Sequence, residues 1–366
     1  MNWLQKTFKL SSPVARYRLR RILLTSLAWT VIDLFLYFRN VASGSDIDYP
    51  YNENGFTACL LRSGTVLLSS LFMSSLLLKE LKILFRNMTL LAGWLAKVFI
   101  LLLIAMMTTI IIFFLHFLVI KQVSFVETLN QFQNYFLHTS LATDSLLFWL
   151  VMLLSAQIIV EIDQKYSPGV FLEILTGKYL KPRNEKRIIM FLDLKDSTPI
   201  AEQLGHEKYF LFIRDFIYFV SKAVLEHNGM IYQYVGDEVV VTWPYTQANV
   251  LKSLNTVIES RRAIQRKSDH FRREYDDIVP EFRVGLHAGD VTIGEIGIIK
   301  KDIAISGEAM NTAARIRSAC NELNQKFIVS KEYFDTGILK SWQGENLGEV
   351  SLKGMDESMH LYALKI

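Results

Sequence analysis

The chain has 366 residues, of which 51% are hydrophobic and 21% charged, and its mean hydropathy is +0.23. This composition is too apolar for one soluble domain, so part of the chain is predicted to lie in a membrane, and two cysteines are too few for a disulfide framework. Up to Val160 the chain has 13 Lys and Arg and 7 Asp and Glu, whereas the rest of the chain has 27 Lys and Arg and 29 Asp and Glu. The basic excess of the first part lies between apolar runs, which excludes a nucleic-acid-binding protein.

Four apolar stretches precede residue 162, and a membrane-spanning helix needs about 20 such residues. They are Ile22 to Phe38, Leu60 to Leu78, Val98 to Ile120 and the shorter Leu146 to Val160. Lys and Arg are concentrated before the first stretch and between the second and third. This predicts, for residues 1–162, an all-α bundle of four spans in the cell membrane with a cytoplasmic N-terminus. A cleaved signal peptide is the alternative for the first stretch.

Three ionisable residues, Asp33, Arg62 and His116, lie in or at the edges of these stretches. Ionisable side chains are costly in a bilayer and by default indicate function. The alternative is that Arg62 extends to the membrane interface and that the others pair between helices.

Residues 163–186 are more polar and contain a short amphipathic segment. We expect a connector with a transducer helix that pairs with its copy in a second chain. The alternative is a plain tether. If the membrane bundle sets the relative rotation of the connectors of two chains, it would control the domain that follows, which we expect in the cytoplasm.

Residues 187–366 are predicted to form that soluble domain. An apolar run from Ile188 to Leu192 is followed by Asp193, which is typical of a buried strand ending in a carboxylate. The sequence DSTP at 196–199 then indicates a capped helix start.

Further along the domain, a helix from His206 to Asn228 is expected to stop at Gly229. Strands from Ile231 to Val235 and from Val239 to Trp243 flank a turn that is typical of a β-hairpin. The remaining predicted elements are a helix to about Tyr275, strands at 282–287 and 291–293, a helix at 308–323, a strand at 327–330 and a final strand pair. This order predicts an α+β fold with helices on one face of a mainly antiparallel sheet.

Two aspartates stand at adjacent ends of predicted strands, Asp193 after the first strand and Asp237 in the hairpin turn. Such a pair can hold two divalent cations about 4 Å apart, which suits phosphoryl or nucleotidyl transfer. The helix start at 196–199 offers backbone N–H groups to a triphosphate. Taken singly, strand-end aspartates commonly cap turns.

Asn311 and Arg315 are four residues apart on a predicted helix and so project from one face. Arginine can stabilise charge on a transferring phosphoryl group, and asparagine can orient a ribose. A solvated helix face is the alternative for this spacing.

Three motifs together resemble the catalytic domain of class III nucleotide cyclases. They are FLDLKDST at 191–198, YVGDE at 234–238 and SGEAMNTAAR at 306–315. The resemblance covers about half of the chain. It implies a ferredoxin-like core that works as a head-to-tail homodimer, with each active site shared between two chains.

The resemblance also implies residue roles. Asp193, Asp237 and the backbone of Leu194 would bind two Mg²⁺ or Mn²⁺ ions. Asn311 would position the ribose and Arg315 would stabilise the transition state. The residues implied in substrate binding are Lys195, Asp196, Ser197, Thr198, Gln233, Ala304 and Lys353.

The base-reading positions depart from the pattern of the family. Adenylate cyclases that it resembles commonly have Lys where Gln233 stands and Asp or Thr where Ala304 stands. Glutamine can donate and accept, whereas alanine can do neither, so backbone groups or Ser306 would read the base. We expect ATP as substrate; the alternatives are a guanylate cyclase, a diguanylate cyclase suggested by the GDE turn, and a non-catalytic nucleotide-binding or dimerisation module.

Overall fold

The structure is a computed structural model. It describes residues 13–42, 56–80, 84, 88–138, 141–165, 173–174, 176–299, 301–336, 344–355 and 357–366. The chain divides into two compact units, Met1–Gln164 and Lys165–Ile366.

The first unit is helical in its described parts. Its helices are α1 (Pro13–Ala42), α2 (Phe56–Ser75), α3 (Leu90–Leu115), α4 (Phe125–His138) and α5 (Leu141–Lys165), with π-helical turns after α2 (Leu76–Glu80) and α3 (His116–Ile120). The helix α4 was not predicted; it lies between the third and fourth apolar stretches.

Among the described residues, three helical stretches are long and apolar enough to cross a membrane, namely Arg18–Arg39, Phe56–Leu78 and Leu91–Ile120. The apolar part of α5, Leu146–Glu161, is shorter than these. All four predicted stretches therefore lie in helices, but only three reach the length of a span. The count of four spans stays a prediction.

Apolar side chains from four helices form the interior of this unit. The buried cluster includes Trp29 of α1, Met73 of α2, Leu101 of α3 and Leu153 of α5. Polar residues are also buried at the helix contacts, among them Asp33. The carboxylate of Asp33 accepts two hydrogen bonds from Arg62, 2.9 Å from Nε and 2.7 Å from Nη2. The two charges thus pair between α1 and α2.

The second unit combines eight strands with six helices among its described residues. In chain order they are β1 (Arg183–Leu194), α6 (Ser197–Leu204), α7 (His206–Glu226), β2 (Met230–Val235), β3 (Glu238–Pro244), α8 (Gln247–Gln265), α9 (Ser268–Glu274), β4 (Phe282–Ile296), β5 (Asp302–Ser306), α10 (Glu308–Glu322), β6 (Phe327–Ser330), α11 (Lys331–Phe334), β7 (Gly344–Ser351) and β8 (Ser358–Leu364).

The strands form one sheet in the order β2-β3-β1-β4-β6-β8-β7, and β5 also pairs with β4. Only β4 and β6 pair in parallel; the other described pairs are antiparallel. The α+β class is confirmed. Two details differ from the expectation: β4 is one continuous strand of 15 residues instead of two, and β5 was not predicted.

Helices cover both faces of the sheet, so the expectation of a single covered face is wrong. Alternate residues of β1 enter two different cores: Met190 packs in the core that contains Phe216 of α7, and Ile189 packs in the core that contains Ala313 of α10. A strand buried on both faces has a continuous apolar run, which is the pattern of β1.

The helix α10 lies unusually close to β4. A Cβ added at Gly285 of β4 would stand 2.4 Å from the backbone N of Arg317 and 2.7 Å from the carbonyl O of Ala313. Backbone atoms of a packed helix cannot move aside cheaply, so this position requires glycine. The contact fixes α10 against the sheet.

Candidate active site

The chain brings the two predicted metal-binding aspartates to the same end of neighbouring strands in the sheet. The pairing of β1 with β3 sets Leu192 opposite Val239, so that Asp193 stands level with Glu238 at the end of the ladder. Asp237 lies in the tight turn between β2 and β3, where Gly236 has a φ of +63° that glycine adopts without strain. The hairpin places Asp237 beside the end of β1.

Burial and like charge make this end of the strands unfavourable for anions. Burial raises the pKa of Asp193 to about 6; the guanidinium of Arg317 opposes the shift, and the carboxylates of Asp237 and Glu238 add to it. Burial also raises the pKa of Glu238, again against the effect of Arg317. Three carboxylates therefore share a partly buried site with two arginines, Arg317 and Arg283, which both lower the pKa of Asp193.

The donor set suits a hard divalent cation. The oxygen Oδ2 of Asp237 is buried and accepts no hydrogen bond from any residue that the structure describes. Such an atom is costly unless a ligand satisfies it. Carboxylate oxygens are the ligands that Mg²⁺ and Mn²⁺ prefer, so the residues present fit such ions.

Arg317 belongs to this site and the sequence analysis missed it. Its Nη1 lies 3.4 Å from Oδ2 of Asp193, and its Nη2 lies 2.7 Å from Oε2 of Glu238. A signal was present: Arg317 follows Ala309 and Ala313 at intervals of four, on the stripe of α10 that faces the sheet. A charged residue on such a stripe requires a buried partner.

The segment after β1 differs in detail from the prediction. Leu194 is buried, and Asp196 takes the cap position of α6 in a left-handed conformation without a capping hydrogen bond from its side chain. The ammonium of Lys195 instead lies 3.4 Å from Asp196 and 3.3 Å from Glu281. Ser197 and Thr198 begin the helix as expected.

The predicted transition-state residues lie away from the carboxylates of the same chain. Asn311 is exposed and Arg315 is half-buried. Arg315 stands two residues before Arg317, about 200° around the helix, and so projects to the other side. A Cβ added at Gly354 would lie 3.5 Å from Nη2 of Arg315.

Lys353, which is exposed, precedes that glycine in the turn between β7 and β8. The strands β4 and β6 separate β8 from β1. One chain therefore carries two distinct groups: Arg315 with the Lys353 turn, and Asp193 with Asp237.

The two positions predicted to read the base lie on strands that a hydrogen bond links. The backbone N–H of Ile305 on β5 donates to the hydroxyl of Tyr232 on β2 at 3.3 Å. Gln233 follows Tyr232 and is exposed, whereas Ala304 precedes Ile305 and is half-buried.

A model of the adenylate and guanylate cyclase catalytic domain matches residues 180–366, just over half of the chain. The chain belongs to this family. Adenylate cyclase 2 of Rhizobium meliloti (strain 1021) is 30% identical over 213 residues, which are 56% of this chain and 57% of that protein. The adenylate cyclase of Anabaena cylindrica is 23% identical over 221 residues, which are 55% of this chain and 42% of that protein.

The chain thus spans little more than half the length of the first relative and less of the second. Among solved structures, a bacterial light-regulated adenylyl cyclase is similar with a TM-score of 0.52 and 17% identity, over 60% of this chain and 64% of that one. At this identity the likeness concerns the fold. The family match confirms the resemblance that the three sequence motifs indicated.

Proposed function

We propose that this protein is a membrane-bound adenylate cyclase that converts ATP to 3′,5′-cyclic AMP and pyrophosphate. The observation that carries the proposal is that Asp193 and Asp237 converge at the same end of neighbouring strands. A buried carboxylate oxygen of Asp237 has no hydrogen-bond partner among the described residues and could bind a ligand. These two side chains and the backbone of Leu194 would hold two Mg²⁺ or Mn²⁺ ions. Bound ions of this kind make a hydroxyl acidic and neutralise phosphate charge.

Residues of the chain perform the rest of the reaction. The carboxylates of Asp193 and Asp237 would hold the ions, and bound ions would supply positive charge to the phosphates. The first N–H groups of α6, at Ser197 and Thr198, attract the triphosphate through the helix dipole. Arg315 carries a permanent charge for the α-phosphoryl group in the transition state, and Asn311 orients the ribose. Lys353 contacts the terminal phosphates.

Each active site would be shared between two copies of the chain. Arg315 projects to the side of α10 opposite Arg317, the residue that contacts Asp193 of the same chain. A head-to-tail homodimer brings Arg315 of one copy to the carboxylates of the other. Exposed isoleucines at the β4–β5 hairpin, Ile298 and Ile299 among them, supply apolar surface for such contact.

The choice of adenine as the substrate base is supported by Gln233 and by the relatives of the chain. Gln233 can donate to and accept from an adenine edge, and the curated relatives named above are adenylate cyclases. With its side-chain amide turned over, the same glutamine could bind a guanine edge. The side chain of Ala304 has no hydrogen-bonding group. Guanylate cyclase is therefore the second candidate.

The membrane location rests on the three long apolar helices and on the position of the basic residues. We propose that they anchor the chain in a lipid bilayer with the catalytic domain in the cytoplasm. Residues 163–186 would then act as the connector between the bundle, residues 1–162, and the catalytic domain, residues 187–366.

Product identification tests the function. The full chain in detergent micelles is incubated with ATP or GTP and with Mg²⁺ or Mn²⁺, and the products are identified by mass spectrometry. Cyclic AMP from ATP is expected. Cyclic GMP alone would favour the second candidate, cyclic di-GMP would indicate a diguanylate cyclase, and nucleotide binding without turnover would leave a binding module.

Complementation tests the shared site. The variants Asp237→Asn and Arg315→Ala are each expected to be inactive as homodimers. Co-expressed, they form mixed dimers with one intact site, which should restore about a quarter of the wild-type activity. No restoration would mean that each chain completes its own site.

A further inference from the structure

The edge of the candidate metal site contains an ion pair that the proposed reaction does not use. Nη2 of Arg317 lies 2.7 Å from Oε2 of Glu238, whose side chain is only 12% exposed. Nη1 of the same guanidinium lies 3.4 Å from Oδ2 of Asp193. Glu238 directly follows Asp237 in the chain, so a third carboxylate stands beside the two that would bind metal.

The arginine is held firmly. Its backbone N is the atom that a Cβ at Gly285 would meet at 2.4 Å, which means that α10 contacts β4 at this residue. The guanidinium therefore spans a fixed gap between α10 and the ends of β1 and β3. Its charge attracts the carboxylate of Glu238 across this gap at ion-pair distance, while Oε2 of Glu238 and Nε of Arg317 make no hydrogen bond with any residue that the structure describes.

The number of carboxylates at the site indicates what the contact between Arg317 and Glu238 does. A free Glu238 would make three carboxylates, enough to bind a divalent cation in a site made of protein alone. Nucleotide-dependent magnesium sites use one or two carboxylates together with substrate phosphates. A third carboxylate would raise the affinity of the site for metal in the absence of nucleotide. It would also neutralise positive charge of the metal ions that is needed to bind the phosphates.

We propose that Arg317 is a positioning residue that holds Glu238 away from the metal ions, so that the site takes its metals together with the nucleotide. This inference rests on the proposed function, because it concerns the same two-aspartate site. Arg317 does not touch the substrate; it acts through Glu238 and Asp193.

Metal affinity in the absence of nucleotide tests the proposal. Binding of Mn²⁺ to the full chain in micelles is followed by electron paramagnetic resonance of the free ion. The change Arg317→Met releases Glu238 and should tighten Mn²⁺ binding at least about tenfold. The double variant Glu238→Gln/Arg317→Met should bind as the wild type does, because the third carboxylate is gone.

Two further variants complete the design. Arg317→Lys keeps the charge and holds Glu238 by a single point contact, so it should fold and tighten binding by about threefold. Arg262→Met removes an arginine that pairs with Glu259 on the surface and should change nothing.

Unchanged or weaker Mn²⁺ binding in Arg317→Met and Arg317→Lys would overturn the proposal, as would equally tight binding in the double variant. A purely structural arginine would lower stability and leave metal affinity alone. If the wild type binds no Mn²⁺ even with ATP, the proposed function itself fails, which is a distinct outcome.

Discussion

Each unit of the molecule sets an arginine against buried carboxylate, and the two arrangements differ in charge balance. In the helical unit, Arg62 donates two hydrogen bonds to Asp33, so one positive charge meets one negative charge. In the catalytic unit, Arg317 lies within 4 Å of both Asp193 and Glu238, and Asp237 is adjacent. There three carboxylates outnumber the two arginines, Arg317 and Arg283, whose charges act on Asp193.

The difference separates a structural contact from a binding site. A bidentate pair of one arginine with one aspartate joins two helices, and each charge offsets the other. A site with excess buried carboxylate is unfavourable by itself and becomes favourable when cations bind. The predictions below test this distinction in both units.

The largest effect is expected in the catalytic unit. Asp237→Asn removes one anionic ligand, and because metal ions contribute several kcal/mol of charge stabilisation, cyclic nucleotide formation should fall about a thousandfold. The measurement is initial rate with Mn²⁺ and ATP. Asp277→Asn, at an exposed left-handed turn position, is the matched control and should keep wild-type activity. A fully active Asp237→Asn variant would remove the metal role of this end of the strands.

In the helical unit the expected effect is on stability. Asp33→Asn leaves the guanidinium of Arg62 without its anion, and breaking a buried pair in this way costs about 3 kcal/mol. Thermal unfolding of the full chain in micelles measures the loss. The double variant Asp33→Leu/Arg62→Leu removes both charges and should unfold near the wild type. If Asp33→Asn is as stable as the wild type, the ion pair does not stabilise the contact between α1 and α2.

Close packing in the catalytic unit gives the third prediction. Gly285→Ala forces a methyl group against the backbone of α10 and should cost about 2 kcal/mol while also lowering activity, since α10 carries Asn311 and Arg315. Gly64, in α2, has open space around it. Gly64→Ala should therefore be neutral or slightly stabilising, by about 0.5 kcal/mol. Similar melting temperatures for both variants would contradict the packing argument.

The smallest effect concerns pH. The pKa of Asp193 is raised from 3.8 to about 6 in the folded chain, so the folded state holds this proton more tightly than the unfolded state. The metal-free protein should therefore lose stability as the pH rises from about 4 to about 6.

Asp193→Asn removes that charge and should stabilise the metal-free protein above pH 6 by about 1 kcal/mol, a value reduced for solvent screening at the partly exposed carboxylate. Thermal unfolding with a chelator across this pH range measures it. A variant less stable than the wild type at pH 7.5 would show that Asp193 is not strained in the absence of metal.

Local pattern was sufficient for much of the catalytic unit. The run before Asp193 and the hairpin around Asp237 were both found from sequence, because strand periodicity and turn residues are local signals. The strand β5 was missed because it has only five residues, which is a weak periodic signal, and it becomes a strand by pairing with β4. The helix α4 was missed because it sits between stretches whose apolar character dominated the prediction.

Sequence by itself determined the strand that ends in Asp193, the turn that holds Asp237 and the helix that carries Asn311 and Arg315, since each depends on neighbours along the chain. Tertiary structure alone decided which carboxylates share Arg317, that Arg315 turns away from them, and that helices cover both sheet faces. Those features depend on contacts between residues far apart in the chain, such as Glu238 with Arg317, and no local pattern encodes which distant charge a buried arginine will meet.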